Sequence, residues 1–192
     1  MHSSTYIETN TLDDALASLE LAAEFHDRAR SDRRFWKWFV IALHAGVQGT
    51  FALVLEQGNG LMVQKPGVTA RTIAAIDTES DLPERHMDNF LRLYRKVRAM
   101  VNPGHSGVAE ADTSPEEDAL SGLDELRDGF LHFNTKAWAI EKALIDRRSR
   151  DSFAIARGLL LDSGLVRVHE PTDVARVERV VFELSVRLGT SA

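Results

Sequence analysis

Phe35-Trp36-Lys37-Trp38-Phe39-Val40-Ile41-Ala42-Leu43-His44-Ala45-Gly46-Val47-Gln48-Gly49-Thr50-Phe51-Ala52-Leu53-Val54-Leu55 decides the fold of this chain. Nearly every position is apolar or small, and Lys37 is the one formal charge. Its length alone would suit a membrane-crossing helix. Lys37, His44 and Gln48 interrupt it, however, and the rest of the chain is amphipathic, so the segment, from about Asp32 to Gln57, is read as a central helix buried on several sides. Gly46 and Gly49 each weaken a helix by about 1 kcal/mol relative to Ala. In a buried helix they allow a neighbouring helix to come close.

Outward from this segment the apolar spacing stays helical, and no long run alternates with period two. Upstream, Thr11 and Asp14 have capping-box spacing, and Leu12, Leu16, Leu19, Ala23 and His26 mark one face of a first helix ending between Arg28 and Ser31. Downstream, Gly58-Asn59-Gly60 closes the central helix. Residues 58–81 are the least legible, with a short helix expected over Thr69 to Asp77. After Pro83, a helix is carried by Met87, Phe90, Tyr94, Val97 and Val101. Ser114-Pro115-Glu116-Glu117 is a strong helix start, with a capping hydroxyl, proline at the first helical position and acids at the positive end of the dipole. The apolar face of that helix is Ala119, Leu123, Leu126, Phe130 and Phe133. Asn134-Thr135 marks a bend or a new cap, and the pattern continues through Trp138, Ile145, Phe153 and Leu160 to Ser163-Gly164. Val174, Val177, Val181, Leu184 and Leu188 stripe a last helix. All five prolines fall between these periodic stretches. The expected fold is all-α, a helical bundle of five or six helices in one domain over residues 1–192, with 1–10 flexible and 102–114 a mobile loop.

The chain has no cysteine, hence no disulfide framework and no zinc–thiolate site, which fits a cytoplasmic protein. Met1-His2-Ser3-Ser4-Thr5-Tyr6 lacks a basic and then apolar leader. No membrane partner is expected. A net charge of −6 argues against coating nucleic acid, but an enzyme that touches a few phosphates needs only a local basic patch.

One short constellation has the chemistry for such contact. Leu126-Arg127-Asp128-Gly129-Phe130-Leu131-His132-Phe133 places a permanent cation with a rigid fork of donors five residues before a proton-transfer group. On an ideal helix that spacing leaves Arg127 and His132 roughly 140° apart, so a shared site requires a bend at Gly129 or a second subunit. A plain reading stands beside it: Arg127 and Asp128 as surface charges, His132 as a hydrogen-bonded, half-buried histidine. Lys37, Ile41, His44 and Gln48 form a stripe on the central helix, and His44 and Gln48 either line a cleft facing the motif helix or bond to neighbouring helices. Asn134, Trp138 and Glu141 share a face by spacing, Asn134 and Glu141 being further cleft candidates and Trp138 core.

Arg127-Asp128-Gly129-Phe130-Leu131-His132 resembles the Arg-polar-x3-His signature of the HEPN superfamily, and residues 126–141 as a whole resemble segments of bacterial HEPN-like proteins. The family comprises small up-and-down helical bundles. Many are metal-independent RNases of toxin–antitoxin, abortive-infection and CRISPR systems, and others are non-catalytic partners of nucleotidyltransferases. Asn is the commonest residue after the arginine. Here it is Asp128, a polar type accepted there but one that partly neutralises Arg127. The resemblance implies a homodimer with the site completed at the two-fold axis, and no metal or cofactor. His132 would act as general acid or base, Arg127 would stabilise charge on the scissile phosphate, and Asp128 would orient one of them. It also implies RNA as substrate and an antitoxin or nucleotidyltransferase as partner. The alternative of another class is a non-catalytic helical binding module, either a nucleotidyltransferase partner or a small-molecule-binding bundle.

Basic clusters occur at Arg28-Arg30-Arg33-Arg34-Lys37, Arg92-Arg95-Lys96-Arg98 and Arg147-Arg148-Arg150. Each reads first as a solvated helix face, and as part of an RNA path if it flanks the motif. There is no phosphate loop, dinucleotide fingerprint or His-Glu-x-x-His pair, and His2, His26, His86, His105 and His169 have no metal-ligand spacing.

Overall fold

The computed structural model describes residues 6–56, 58–102, 114–132 and 139–190. Over these residues the fold is all-helical, with α1 (Thr11–Ala29), α2 (Phe35–Leu55), α3 (Pro66–Asp77), α4 (Phe90–Val101), α5 (Pro115–Leu131), α6 (Lys142–Leu161) and α7 (Pro171–Leu188). Seven helices replace the expected five or six. The pattern from 114 to 163 divides into α5 and α6, and α3 begins at Pro66, three residues before the expected Thr69. Pro66, Pro115 and Pro171 open helices at their first turn, where the missing N–H costs nothing. Of the loop expected over 102–114, residues 103–113 lie outside the described residues, as do residues 1–5 of the N-terminus expected to be flexible over 1–10.

Local caps fix the helix starts. Asn10, not Thr11, caps α1, its side chain accepting from the Asp13 amide at 2.9 Å. Asp14, expected to complete a capping box, instead accepts the Thr9 hydroxyl at 2.5 Å. Asn89 caps α4, its side chain accepting from the Arg92 amide, so that helix starts at Phe90, seven residues after Pro83. Ser114 caps α5 as expected, accepting from the Glu117 amide.

Helix α2 is the hub. It packs against α1, α4, α5 and α6, and most of its residues are buried within the bundle. By length and composition alone it would be long enough to cross a membrane. Phe39, Val40, Leu43, Val47, Phe51 and Val54 are fully buried. At roughly 1.5–3 kcal/mol for each large apolar side chain, these six residues alone outweigh the propensity lost at the two glycines. Those glycines form the seam with α1. A Cβ on Gly46 would lie 2.5 Å from Leu19 Cδ2, and one on Gly49 would lie 2.7 Å from Ala15 Cβ. α1 and α2 are accordingly the most extensive helix pair, and α7 closes over α1 through Arg176, which donates to Asp13 and Glu20.

Between α2 and α4 the chain is irregular but held. A 3₁₀ turn over Leu61–Val63 and an isolated antiparallel bridge between Gln64 and Met87 bring residues 61–65 alongside residues 86–88. The Lys65 amide donates to the His86 carbonyl at 3.0 Å, and the Asp88 amide to the Val63 carbonyl at 2.9 Å. From α4, the Lys96 ammonium donates to the Met62 carbonyl at 3.0 Å and the Gln64 carbonyl at 2.8 Å, and pairs with the buried Asp88 carboxylate at 2.7 Å.

The basic clusters are not uniformly solvated. Arg95 is paired with the buried Glu117 of α5. Arg148 lies across Gly122, pairs with Asp118 and donates to the Asp118 carbonyl. Arg34 and Arg28, by contrast, make exposed local pairs with Asp32 and Glu24.

Candidate functional site

The C-terminal half of α5 presents Asp124, Arg127 and Asp128 on consecutive turns. Asp124 is three residues before Arg127, so both reach the same side of the helix, and the Arg127 Nη2 donates to Asp124 Oδ1 at 2.5 Å. Nη1 of Arg127 lies 2.7 Å from Asp128 Oδ1. The guanidinium thus sits between two carboxylates of its own helix. Its Nε is buried with no hydrogen-bond partner among the described residues.

Helix α2 supplies the third member. His44 is 3% exposed, and its Nε2 is 2.9 Å from the same Asp124 oxygen and 3.4 Å from Arg127 Nη2. With Asp124 ionised, the Nε2 hydrogen donates to the carboxylate, so the neutral imidazole is the Nε2–H tautomer. Its ring rests on Phe90, the first residue of α4, with centroids 4.1 Å apart, and Phe90 in turn meets Phe51 at 5.5 Å. Three helices therefore fix one histidine.

Burial is the largest influence on His44 and lowers its pKa. The hydrogen bond that His44 donates to Asp124 opposes this, the Arg127 charge reinforces the lowering, and the result is a pKa below the ordinary imidazole value. For Asp124 burial works upward, but the His44 hydrogen bond and the charges beside it outweigh burial and hold the carboxyl below its ordinary range. At neutral pH the cluster is a neutral histidine, two carboxylates and one guanidinium, with a net charge of −1.

His132 lies at a different place. α5 runs as regular helix through Gly129 and ends at Leu131, and His132 is its C-cap, with φ −84° and ψ 95°. The bend considered at Gly129 is therefore absent, and the departure from helical geometry comes at His132 itself. The His132 amide still bonds to the Asp128 carbonyl at 2.9 Å, while the residue is exposed. Among the described residues no hydrogen bond or ion pair joins it to Arg127. Gln48, one turn beyond His44 on α2, turns to the irregular segment rather than to α5, its Nε2 lying 3.6 Å from Met87 Sδ. Glu141 is exposed at the N-cap of α6 without a side-chain capping bond, and with Gly122, Leu126 and Arg148 it lines a cavity of about 310 Å³ between α5 and α6. Asn134 and Trp138 lie outside the described residues.

The structure thus joins Arg127, Asp128 and His44, and separates them from Gln48 and Glu141. Asp124, which sequence reasoning missed, is the residue that links them. Its spacing three before Arg127 was the available signal. Among the described residues, no group of three His, Asp or Glu side chains is placed to hold a metal ion. Compared with family models, curated proteins and solved structures, the chain matches none of them.

Proposed function

We propose that this chain is a HEPN-like helical-bundle protein that cleaves RNA at the exposed C-terminal end of α5. The observation that carries the reading is the bracing of Arg127. Asp124, itself fixed by His44 from a second helix, holds its guanidinium a few residues from an exposed histidine at the helix end. A cation fixed in advance stabilises charge on a phosphate without reorganising at the moment of reaction. Two copies related by a two-fold axis would supply what one copy lacks. His132 of one copy takes the proton from the RNA 2′-hydroxyl, whose oxygen bonds to phosphorus. The bond to the 5′-oxygen breaks, and His132 of the second copy protonates that oxygen. Arg127 stabilises the charge that builds on the phosphoryl oxygens.

A specific observation favours the non-catalytic reading. Both terminal nitrogens of Arg127 are engaged by carboxylates, and the cluster is net negative, which opposes phosphate. In that reading the protein is a non-catalytic helical binding module, either a nucleotidyltransferase partner docking through the α5 end or a small-molecule-binding bundle.

One experiment separates the two. The purified protein is incubated with single-stranded RNA and EDTA beside Arg127→Ala and His132→Ala, with oligomeric state read by light scattering. Cleavage by a dimeric wild type, lost in both variants, supports the nuclease. Absence of cleavage, or equal cleavage by all three proteins, overturns it.

A further inference from the structure

Arg30 and Arg150 belong to different basic clusters of the sequence, 120 positions apart, yet both line one cavity of about 580 Å³. That cavity lies where the C-terminal ends of α1 and α7 meet the N-terminal ends of α2 and α6. Two helix N-termini and two C-termini converge here, so their dipoles offset one another and side chains set the sign of the field. Arg30, Lys142, Arg150 and Arg187 line the cavity against a single carboxylate, Asp146. In a chain of net charge −6 this is a concentrated reversal of sign.

Two of the four cations are already occupied. Lys142 pairs with Asp146 at 2.5 Å, and Arg187 pairs with Asp27 at 2.9 Å and donates to the Glu183 carbonyl. Arg30 and Arg150 make no ion pair among the described residues, and both are exposed at the rim. His26 lines the same cavity, and its Nδ1 is buried without a hydrogen-bond partner. The Trp36 ring, packed edge-on against His26 with Lys142 Nζ 5.0 Å from its centroid, forms an apolar wall with Val186 and Leu188.

We infer that this cavity binds a small phosphate ester of nucleotide size, with the phosphate held by Arg30 and Arg150 and the organic portion against Trp36 and Val186. Its volume falls within the range of small-ligand sites, and an aromatic wall beside a few convergent charges is their usual construction. Unpaired guanidinium forks suit phosphate oxygens because they can be gripped by two donors at once.

The test is calorimetric titration of the full chain with ADP and with pyrophosphate at constant ionic strength, using wild type, Arg30→Ala and Arg150→Ala. Both residues are exposed, and circular dichroism of each variant confirms the fold. The expected result is saturable one-to-one binding of ADP, weakened at least tenfold by either substitution. Pyrophosphate should bind more weakly than ADP, because it cannot use the apolar wall. No saturable binding, or binding indifferent to both substitutions, overturns the site, and equal affinity for the two probes overturns its assignment to an ester. Neither arginine takes part in the α5 cluster, so this result and the outcome of RNA cleavage are independent.

Discussion

His44 of α2 and Asp124 of α5 are 80 residues apart in the chain and 2.9 Å apart in the fold, and they form the polar link between the hub helix and the motif helix. Removing one partner of a buried hydrogen bond leaves the other unsatisfied, at a cost of about 1–3 kcal/mol. His44→Ala is expected to lose stability in that range, and more than Asp124→Ala, because His44 also fills space against Phe90. The double variant should lose less than the sum of the singles. Urea unfolding of the three proteins measures this, and strict additivity would show that the two side chains do not interact.

The same histidine gives stability a pH dependence of known sign. Burial keeps the folded pKa of His44 below the ordinary 6.5, so between about pH 6.5 and that lowered value the unfolded chain binds a proton that the folded chain refuses. Stability falls as pH drops through that window and is insensitive to this group above it. His26, also lowered chiefly by burial, acts in the same direction. The Asp124 contribution is lost only at lower pH, below the ordinary carboxylate value of 3.8. His44→Gln should therefore flatten, without abolishing, the fall in Tm between pH 7.5 and 5.5. A slope identical to wild type contradicts the assignment.

Gly49→Ala tests the α1–α2 seam. Helix propensity would favour the variant by about 1 kcal/mol. The new methyl would lie 2.7 Å from Ala15 Cβ and 3.1 Å from its Cα, and neither atom can swing aside. Overpacking of this kind costs about 1–3 kcal/mol, so a net loss is expected on thermal unfolding. Gly58→Ala is a useful contrast, since a Cβ there meets nothing and any loss comes from its φ of +83°.

Much of this bundle is readable from spacing, and the failures have physical reasons. Leu16, Leu19 and Ala23 on α1 and Val177, Val181 and Leu184 on α7 are buried as their periodicity requires. The helix count fails because a 3.6-residue period persists on both sides of a chain reversal, so α5 and α6 read as one pattern. α3 is obscured because only Val68, Thr72 and Ala75 of its residues are buried, too few for a clear stripe. At the site, Arg127, Asp128 and His44 are visible as unusual residues, but their partnership depends on how α2 crosses α5. No local pattern in the sequence encodes that crossing. Gln48 shows the same limit: one turn from His44 on α2, it faces a different neighbour.

Arg95 and Glu117 form a pair whose side chains are 13% and 4% exposed. Deleting either alone leaves a buried, uncompensated charge, and each single alanine variant is expected to lose about 3–5 kcal/mol. Arg95→Met with Glu117→Leu should recover most of that loss. Chemical denaturation of the singles and the double decides it, and a double variant as unstable as the worse single would refute the account.

Asp128→Asn addresses the function directly. The Asp128 carboxylate lies 2.7 Å from Arg127 and competes with any phosphate for it. Removing one negative charge should raise RNA binding about three- to tenfold at low ionic strength, with the gain shrinking as salt rises. Filter binding at two salt concentrations reads the effect, and unchanged affinity would remove Asp128 from the recognition surface.

Lys96 donates to two carbonyls of the segment that follows α2 and pairs by charge with the carboxylate that precedes α4. One side chain of α4 is thereby bound to both ends of an irregular stretch of the chain. Its backbone bonds do not form a ladder that could fray one rung at a time, so residues 61–65 and 86–88 open together or stay closed together. One positive charge thus joins the two ends of a long connection, and any chemistry that neutralises that amine loosens both ends at once.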